Sequence, residues 1–428
     1  MLEIYFESYG CTANHNSTEI MKGLVKQAGL NITSNLKLAD LIVINSCIVK
    51  EPTEEKIRRK ITELLKQGKK IILAGCMPRI NYKKLQESNL FLLGINHAKD
   101  IVKLIQDIQE DNYDSQKYID DKHEIKINLP KISKEKFIGI NQISEGCLGS
   151  CSYCIVRLAK GKLFSYPQEK IIQSVKDDVA AGCREIWITS QDNASYGNED
   201  EEYSLPKLLK EILEIKGNFF IRIGMMNPNN VLKILPELIE IYKHPKMFKF
   251  LHIPIQSGSN KILKAMNRKY KREDVLKIIK AFQKEIPNVT ISSDVIVGFP
   301  GETEKDFQDT LDLVKKMNPE ILNRSNFYER PGTPAAKLKK VNPEVVKKRA
   351  VELSKLHLEI CNQNQQKWEN WEGKVIVSQK GFENTYLARN NEYKLFVVQS
   401  KDKSILGKTI NVKVKRLMPH YLISEVTK

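Results

Sequence analysis

Cys147, Cys151 and Cys154 form a C-x3-C-x2-C loop in the run Ile143-Ser-Glu-Gly-Cys-Leu-Gly-Ser-Cys-Ser-Tyr-Cys154. Three thiolates on one short loop can hold three corners of a cubic iron–sulfur cluster and leave its fourth iron without a protein ligand. An iron left open in this way can bind and activate a small molecule. A structural zinc site, the alternative use of such a loop, would normally want a fourth ligand. None stands close by, since Cys183 is far downstream and His123 well upstream. A disulfide is disfavoured, because no signal peptide is read and a cytosolic chain keeps its thiols reduced.

A second set of thiols emerges from the elements of residues 1–108, where strand-like and helix-like runs alternate as in a parallel sheet with covering helices. Leu2–Ser8, Leu41–Asn45 and Lys70–Ala74 read as strands. Ser17–Ala28 and Thr53–Gln67 carry helical spacing, the latter behind the boundary Pro52-Thr53-Glu54-Glu55. Each strand is followed within a few residues by a cysteine: Cys11, Cys47 and Cys76. Ligands of an open parallel sheet collect at the strand carboxyl ends, so these thiols are expected to converge at one edge. A free cysteine is usually a small buried hydrophobe. Three at strand ends, flanked by Gly10, Ser46 or Gly75, point instead to a second three-cysteine cluster. His15 and His97 read as solvated or hydrogen-bonded side chains rather than ligands.

From 109 to 136 the chain turns polar, with Asp111, Asp114, Asp120, Asp121 and Glu124, and reads as a linker. Residues 137–366 then repeat strand–helix units. Strands are expected at Phe137–Ile143, Glu185–Thr189, Phe219–Ile223, Phe248–Ile253, Thr290–Val297 and Leu322–Phe327, with helices such as Gln168–Ala181 and Arg272–Lys284 between them. Six units suggest an incomplete (βα)6 barrel, whose chemistry belongs at the strand carboxyl ends. The polar residues there are Gln191, Asp192, Asn227, Gln256, Ser257 and Asp294, with Gly298. The run Asp294-Val-Ile-Val-Gly-Phe-Pro-Gly-Glu-Thr303 places glycines and a proline at a strand exit, which suits close backbone approach to a ligand.

Residues 367–428 show five short alternating strands, as a small closed or nearly closed antiparallel β-barrel would. They carry 12 Lys and Arg against 6 Asp and Glu, with Lys413, Lys415 and Arg416 on one strand and Phe382, Tyr386, Tyr393 and Tyr421 interspersed. Basic residues neutralise phosphates and aromatics stack on unpaired bases, so as a module this end reads as RNA-binding. Any one of these aromatics is better read as core. The whole chain of 428 residues has a formal charge of +17, from 69 Lys and Arg against 52 Asp and Glu, which favours a polyanionic partner. A Lys- and Ile-rich composition also fits adaptation to heat. No apolar run approaches the roughly 18 residues of a membrane span. A soluble, cytoplasmic protein without a membrane anchor is expected.

The cysteine loop resembles the S-adenosylmethionine site of radical SAM enzymes. With its flanks, the chain resembles the radical SAM methylthiotransferases over essentially its full length. Residues 1–108 are similar to their amino-terminal cluster domain, 137–366 to their radical SAM barrel and 367–428 to their TRAM RNA-binding domain. Gly10-Cys-Thr-Ala-Asn-His-Asn-Ser-Thr-Glu19, Val49-Lys-Glu-Pro-Thr-Glu54, Ala159-Lys-Gly-Lys-Leu-Phe-Ser-Tyr-Pro167 and Gly224-Met-Met-Asn-Pro228 resemble the archaeal and eukaryotic branch, which acts on N6-threonylcarbamoyladenosine in tRNA. The isopentenyladenosine branch typically has Arg where Tyr166 stands.

That resemblance implies two [4Fe-4S] clusters, one on Cys147, Cys151 and Cys154 and an auxiliary one on Cys11, Cys47 and Cys76. It implies S-adenosylmethionine, cleaved to a 5′-deoxyadenosyl radical, with Tyr153 and the Gly298 turn near the adenine. Gln191, Asp192, Gln256 and Ser257 would meet its polar groups. Arg222 and Arg268 would meet its carboxylate or a substrate phosphate, or serve as surface ion-pair partners. The implied reaction places a methylthio group at C2 of the modified adenosine at position 37. That C–H has no accessible acidity, so no side chain is assigned as general acid or base. Modified tRNA, an electron donor and a sulfur source are the implied partners. The rivals are a ribosomal-protein aspartate or isopentenyladenosine as substrate, and a non-catalytic zinc-containing RNA-binding protein. Cys183 and Cys361 have no partner pattern and read as structural.

Overall fold

The computed structural model describes residues 2–427 other than 50, 82–84, 86, 121 and 201–202. Lys50 of the Val49–Glu54 stretch and Asp121 of the polar run therefore lie outside the described residues. The amino-terminal sheet contains β1 (Glu3–Ser8), β2 (Asn31–Thr33), β3 (Leu41–Ser46), β4 (Lys70–Gly75) and β5 (Leu90–Gly94). It is parallel throughout, in the order β2-β1-β3-β4-β5. Every residue of β3, and all but the first of β4, is buried, as unbroken apolar runs in a sheet covered on both faces require. Helices Thr12–Gln27 and Ile101–Gln109 pack Met21, Val25, Ile101 and Leu104 on one face. Helix Glu51–Lys66 packs Ile57, Ile61 and Leu64 on the other.

The stretch expected as a linker lies against the folded body as a strap. Tyr118 is buried with its hydroxyl on Asp107, and the Tyr113 hydroxyl accepts from the Leu92 amide at 2.8 Å. Lys126 Nζ donates to Ile95 O at 2.9 Å, and the Ile132 amide donates to Glu19 O at 2.9 Å.

The strap leads into β6 (Ile138–Gln142), followed by the short pair β7 (Ser144–Glu145) and β8 (Phe164–Ser165). Then come β9 (Glu185–Thr189), β10 (Phe220–Ile223), β11 (Phe250–His252), β12 (Thr290–Val297) and β13 (Ile321–Asn326). Strands β6, β9 and β10 form one parallel sheet, and β11, β12 and β13 another. A parallel bridge from Ile221 to Met247 joins them, so the six strands run in chain order around an open barrel. This is the expected (βα)6 architecture. Its core packs Ile186, Ile188, Ile221 and Ile291 against helices that include Leu205–Leu213 and Arg272–Glu285.

The pair β7–β8 pinches the base of the cysteine loop, and Gly146 makes that pinch possible. Its φ is +68°, and a Cβ there would sit 1.8 Å from Lys162 O.

The carboxy-terminal barrel, β14 (Glu372–Lys380), β15 (Thr385–Arg389), β16 (Leu395–Gln399), β17 (Thr409–Leu417) and β18 (Leu422–Val426), closes in the order β14-β15-β16-β18-β17. Its pairings are antiparallel except β16–β18, which is parallel because β18 returns between β17 and β16. Register shifts at Val377/Gln379 and Val414/Arg416 supply the bends that closure needs. Tyr386 lies in the core of this barrel and Tyr393 packs on Phe248 and Phe250, whereas Phe382 is 82% exposed.

This barrel seats on the amino ends of the larger barrel's strands, away from the cysteine loop. Ser378 donates to Glu185 at the start of β9, and the Lys249 amide donates to Asn391 O at 2.8 Å. Thr290 Oγ1 donates to Glu392 O at 2.6 Å. Glu320, just ahead of β13, pairs with Lys394 at 3.3 Å and Lys367 at 3.0 Å. Among the described residues, no helix is long and apolar enough to cross a membrane.

Glu320→Gln leaves the buried Lys394 ammonium without a carboxylate, a loss of about 3 kcal/mol that a lowered denaturant midpoint would report. Gly146→Ala must part β7 from β8 to fit its methyl group. It is expected to cost about 2 kcal/mol or more in the same measurement, and unchanged unfolding would refute the close approach.

Candidate functional site

Every sequence-predicted cysteine of the two trios stands at the carboxyl end of a parallel sheet. In the first domain, Cys11 follows β1 and precedes helix Thr12–Gln27, while Cys47 and Cys76 directly follow β3 and β4. Those three strands are neighbours, so the expected convergence is realised. Asn14 sits at its centre. Its Oδ1 lies 3.8 Å from Cys11 Sγ and 4.0 Å from Cys76 Sγ, while its Nδ2 donates to Tyr9 O and Ser46 O. Gly10, at φ +105°, lets the first strand end approach Cys47: a Cβ there would be 3.1 Å from Cys47 Sγ. Burial pushes the Cys76 thiol up to about 12, so a metal must displace the proton to use it as thiolate.

The second trio lies on the loop after β6. The Gly149 amide donates to Cys147 Sγ at 3.2 Å, and a methyl-sized probe on Gly149 would touch Cys147 Sγ at 3.3 Å and Cys151 Sγ at 3.7 Å. Burial raises Cys147 to about 12 and Cys154 to about 11, with Asp192 adding to the first and Cys151 to the second. The loop is stitched to its surroundings. Ser152 bonds Met266 O and Ala265 O and accepts from the Ala335 amide, and Asn267 holds Ser150. Among the described residues, no three His, Cys, Asp or Glu side chains converge on a single metal ion.

Around this loop the strand ends supply a connected polar set. Arg268 donates to Cys151 Sγ at 3.3 Å, to Asn227 Oδ1 at 2.7 Å and to Pro254 O at 3.3 Å. Asp192, buried beyond β9, accepts from the Asn227 amide at 2.9 Å and from Asn230 Nδ2 at 2.6 Å. Burial raises the Asp192 carboxyl above its usual range. Gln191 keeps a buried Oε1 with no protein hydrogen-bond partner, an acceptor available to a bound polar molecule. Tyr153 packs edge-on to Phe299, with ring centroids 6.4 Å apart. Gln256 adopts a left-handed backbone, φ +61°, and bridges to Val295. Gly298 turns at φ +78°, and its amide donates to Glu302, which Arg349 pins from behind at 2.9 Å.

Two predicted residues have other contacts. The Ser257 hydroxyl is engaged within the fold, with Thr310 Oγ1 and the Ser259 amide. Arg222 stacks between Trp187 and Phe250, at 5.4 and 5.0 Å. Of the two arginines, it is Arg268 that reaches the cysteine loop. His97 is buried between Asp100 and Asp120, as expected for a hydrogen-bonded histidine. Cys183 donates to Lys136 O, and Cys361 lies against Glu320 O and His357.

The two trios are mechanically linked. Helix Val156–Lys160 begins two residues after Cys154, and its Ala159, with Ile155, shares an apolar cluster with Cys76 and Met77. Lys160 ends this helix within electrostatic reach of Cys11, Cys47 and Cys76. Asn14, Glu145 and Lys160 were missed from sequence because ordinary helix and strand positions give no hint of such contacts. All three do fall inside the runs quoted above, Glu145 in that of the cysteine loop.

Residues 141–314 match the Radical SAM superfamily, and residues 3–94 match the family described as uncharacterized protein family UPF0004. A Pyrococcus horikoshii protein named probable threonylcarbamoyladenosine tRNA methylthiotransferase is 39% identical over the full length of both chains. The human threonylcarbamoyladenosine tRNA methylthiotransferase is 33% identical over 98% of this chain and 73% of its own. In fold, the chain is similar to the radical S-adenosylmethionine methyltransferase TsrM from Kitasatospora setae, with a TM-score of 0.57 and 13% identity over 78% of this chain and 75% of that one. The superfamily match implies S-adenosylmethionine and a [4Fe-4S] cluster, which the thiol loop and its open polar acceptor fit. With archaeal and eukaryotic relatives alike over nearly its whole length, the chain belongs to the radical SAM methylthiotransferases, in the threonylcarbamoyladenosine tRNA methylthiotransferase family.

Proposed function

We propose that this chain is a tRNA methylthiotransferase that adds a methylthio group at C2 of N6-threonylcarbamoyladenosine, at position 37 beside the anticodon. The observation that carries the proposal is the joining of two cysteine trios by one short helix, which starts at one trio and packs on the other. The names of the full-length relatives support the substrate, and the excess of Lys and Arg in residues 367–428 supports an RNA partner.

In this reading Cys147, Cys151 and Cys154 hold one [4Fe-4S] cluster, and Cys11, Cys47 and Cys76 hold a second. When bound, the clusters and S-adenosylmethionine supply the radical and sulfur chemistry that side chains cannot. The chain's own task is to position and to exclude. Arg268 presents fixed cationic donors beside Cys151, suited to a carboxylate. Gln191 offers its free acceptor, Asp192 holds Asn227 in place for Arg268, and Tyr153 with the Gly298 turn forms an apolar wall for a purine ring. Gln256 lends backbone, and Ser257 fixes its loop. An electron donor and a sulfur source are needed from outside, and the cytoplasm is the compartment in which such a substrate is met.

Anaerobically purified protein is expected to hold about eight irons. Replacing Cys11, Cys47 and Cys76 together with Ala should leave about four irons and preserve reductive cleavage of S-adenosylmethionine while abolishing methylthiolation. Replacing Cys147, Cys151 and Cys154 should abolish both. Nucleoside mass spectrometry after incubation with tRNA bearing the threonylcarbamoyl group, S-adenosylmethionine and reductant should show the 2-methylthio product. No product from a chain holding its full iron would refute the substrate, and zinc in place of iron would refute the chemistry.

A further inference from the structure

Lys160 carries a buried charge that the roles above leave unused. It is 4% exposed, and its Nζ has no hydrogen-bond partner; the Glu145 carboxylate lies 3.7 Å away. The other oxygen of Glu145 is taken by Lys126, which is 1% exposed. Two buried ammonium groups therefore share one buried carboxylate. A positive charge left over inside a protein is strongly unfavourable unless an anion faces it.

Besides Glu145, the groups whose negative charge would act on Lys160 are Cys11, Cys47 and Cys76, once a bound metal has displaced their protons. The packing of Ile155 and Ala159 against Cys76 and Met77 fixes the end of the helix over that trio. An ammonium has three donors and no acceptor, so its free N–H must be answered by a lone pair. Lys160 Nζ finds no such acceptor within the protein, whereas sulfur of a group bound by those cysteines would provide one.

We propose that Lys160 donates a charge-assisted hydrogen bond to sulfur of the cluster held by Cys11, Cys47 and Cys76, and neutralises part of its negative charge. This rests on the second cluster proposed above. Hydrogen bonds to cluster sulfurs and added positive charge both raise a cluster's reduction potential.

The test uses the full chain with Cys147, Cys151 and Cys154 replaced by Ala, so that only the amino-terminal cluster remains. Iron and sulfide are measured, followed by a redox titration monitored by electron paramagnetic resonance. Lys160→Met, which keeps the length and removes the charge, is expected to retain iron and to shift the midpoint to a more negative potential. Lys160→Arg is expected to stay near the unsubstituted value. Iron lost from Lys160→Met but kept by Lys160→Arg also supports the donor, because a charge is then required to hold the cluster. An unchanged or raised midpoint in iron-loaded Lys160→Met, or iron lost from both variants, overturns it. Absence of iron from the chain that keeps Lys160 would instead defeat the two-cluster reading.

Discussion

One buried carboxylate ties the chemistry to the architecture. Glu145 lies two residues before the first cysteine of the loop and is held between Lys126 of the strap and Lys160 beyond the last. Burial alone would keep it protonated. The two lysines overcome that and hold it below its usual range, as an anion. Lys126 also donates to Ile95 at the end of the first sheet, so a single charge connects the sheet, the strap and the loop. Each ion withdrawn from water costs several kcal/mol, and an apolar trio of equal volume would be as stable. What the ionic version adds is a fixed register between two domains that also meet through apolar packing and the Arg330–Glu54 ion pair. Tyr166, at the position where the related branch typically carries Arg, reaches the same carboxylate at 3.4 Å.

Much of this was legible in the sequence, for a physical reason. Strands of a parallel sheet buried on both faces are continuous apolar runs, and β3 and β4 were located to within a residue. A thiol placed after such a run has to appear at the sheet's carboxyl edge, which is how Cys47 and Cys76 could be paired with Cys11. β2, three residues long at the sheet edge, has no comparable signal, whereas β5 carries the same kind of apolar run, Leu90–Leu93, and stood outside the expected strands. The polar strap was indistinguishable from a tether because its anchors are single residues, Tyr118 and Lys126, in a charged background. Arg222 and Arg268 looked alike in sequence. Only the closing of the barrel decides that the first stacks among aromatics while the second meets sulfur. Ser257 shows the limit of reasoning from strand ends, since its position is as expected and its hydroxyl turns inward.

Close backbone approach is the other recurring device. Gly10, Gly146 and Gly298 each stand where a Cβ would collide with a neighbouring element, and each adjoins a cysteine trio or the turn beside it. These positions convert a generic α/β scaffold into one with crowded rims. The strain is contained by neighbours that are themselves fixed, such as Arg349 behind the Gly298 turn.

The terminal barrel grips the larger one at the rim opposite to its reactive rim. The eight residues of β12, the longest of the larger barrel's strands, separate the two ends by about 26 Å. A free nucleoside is too short to feel both. In the proposed reading, a molecule held by the basic module while offering a base to the thiol loops would have to arch along the outside of the barrel, and the scaffold would act as a calliper suited to long, folded ligands.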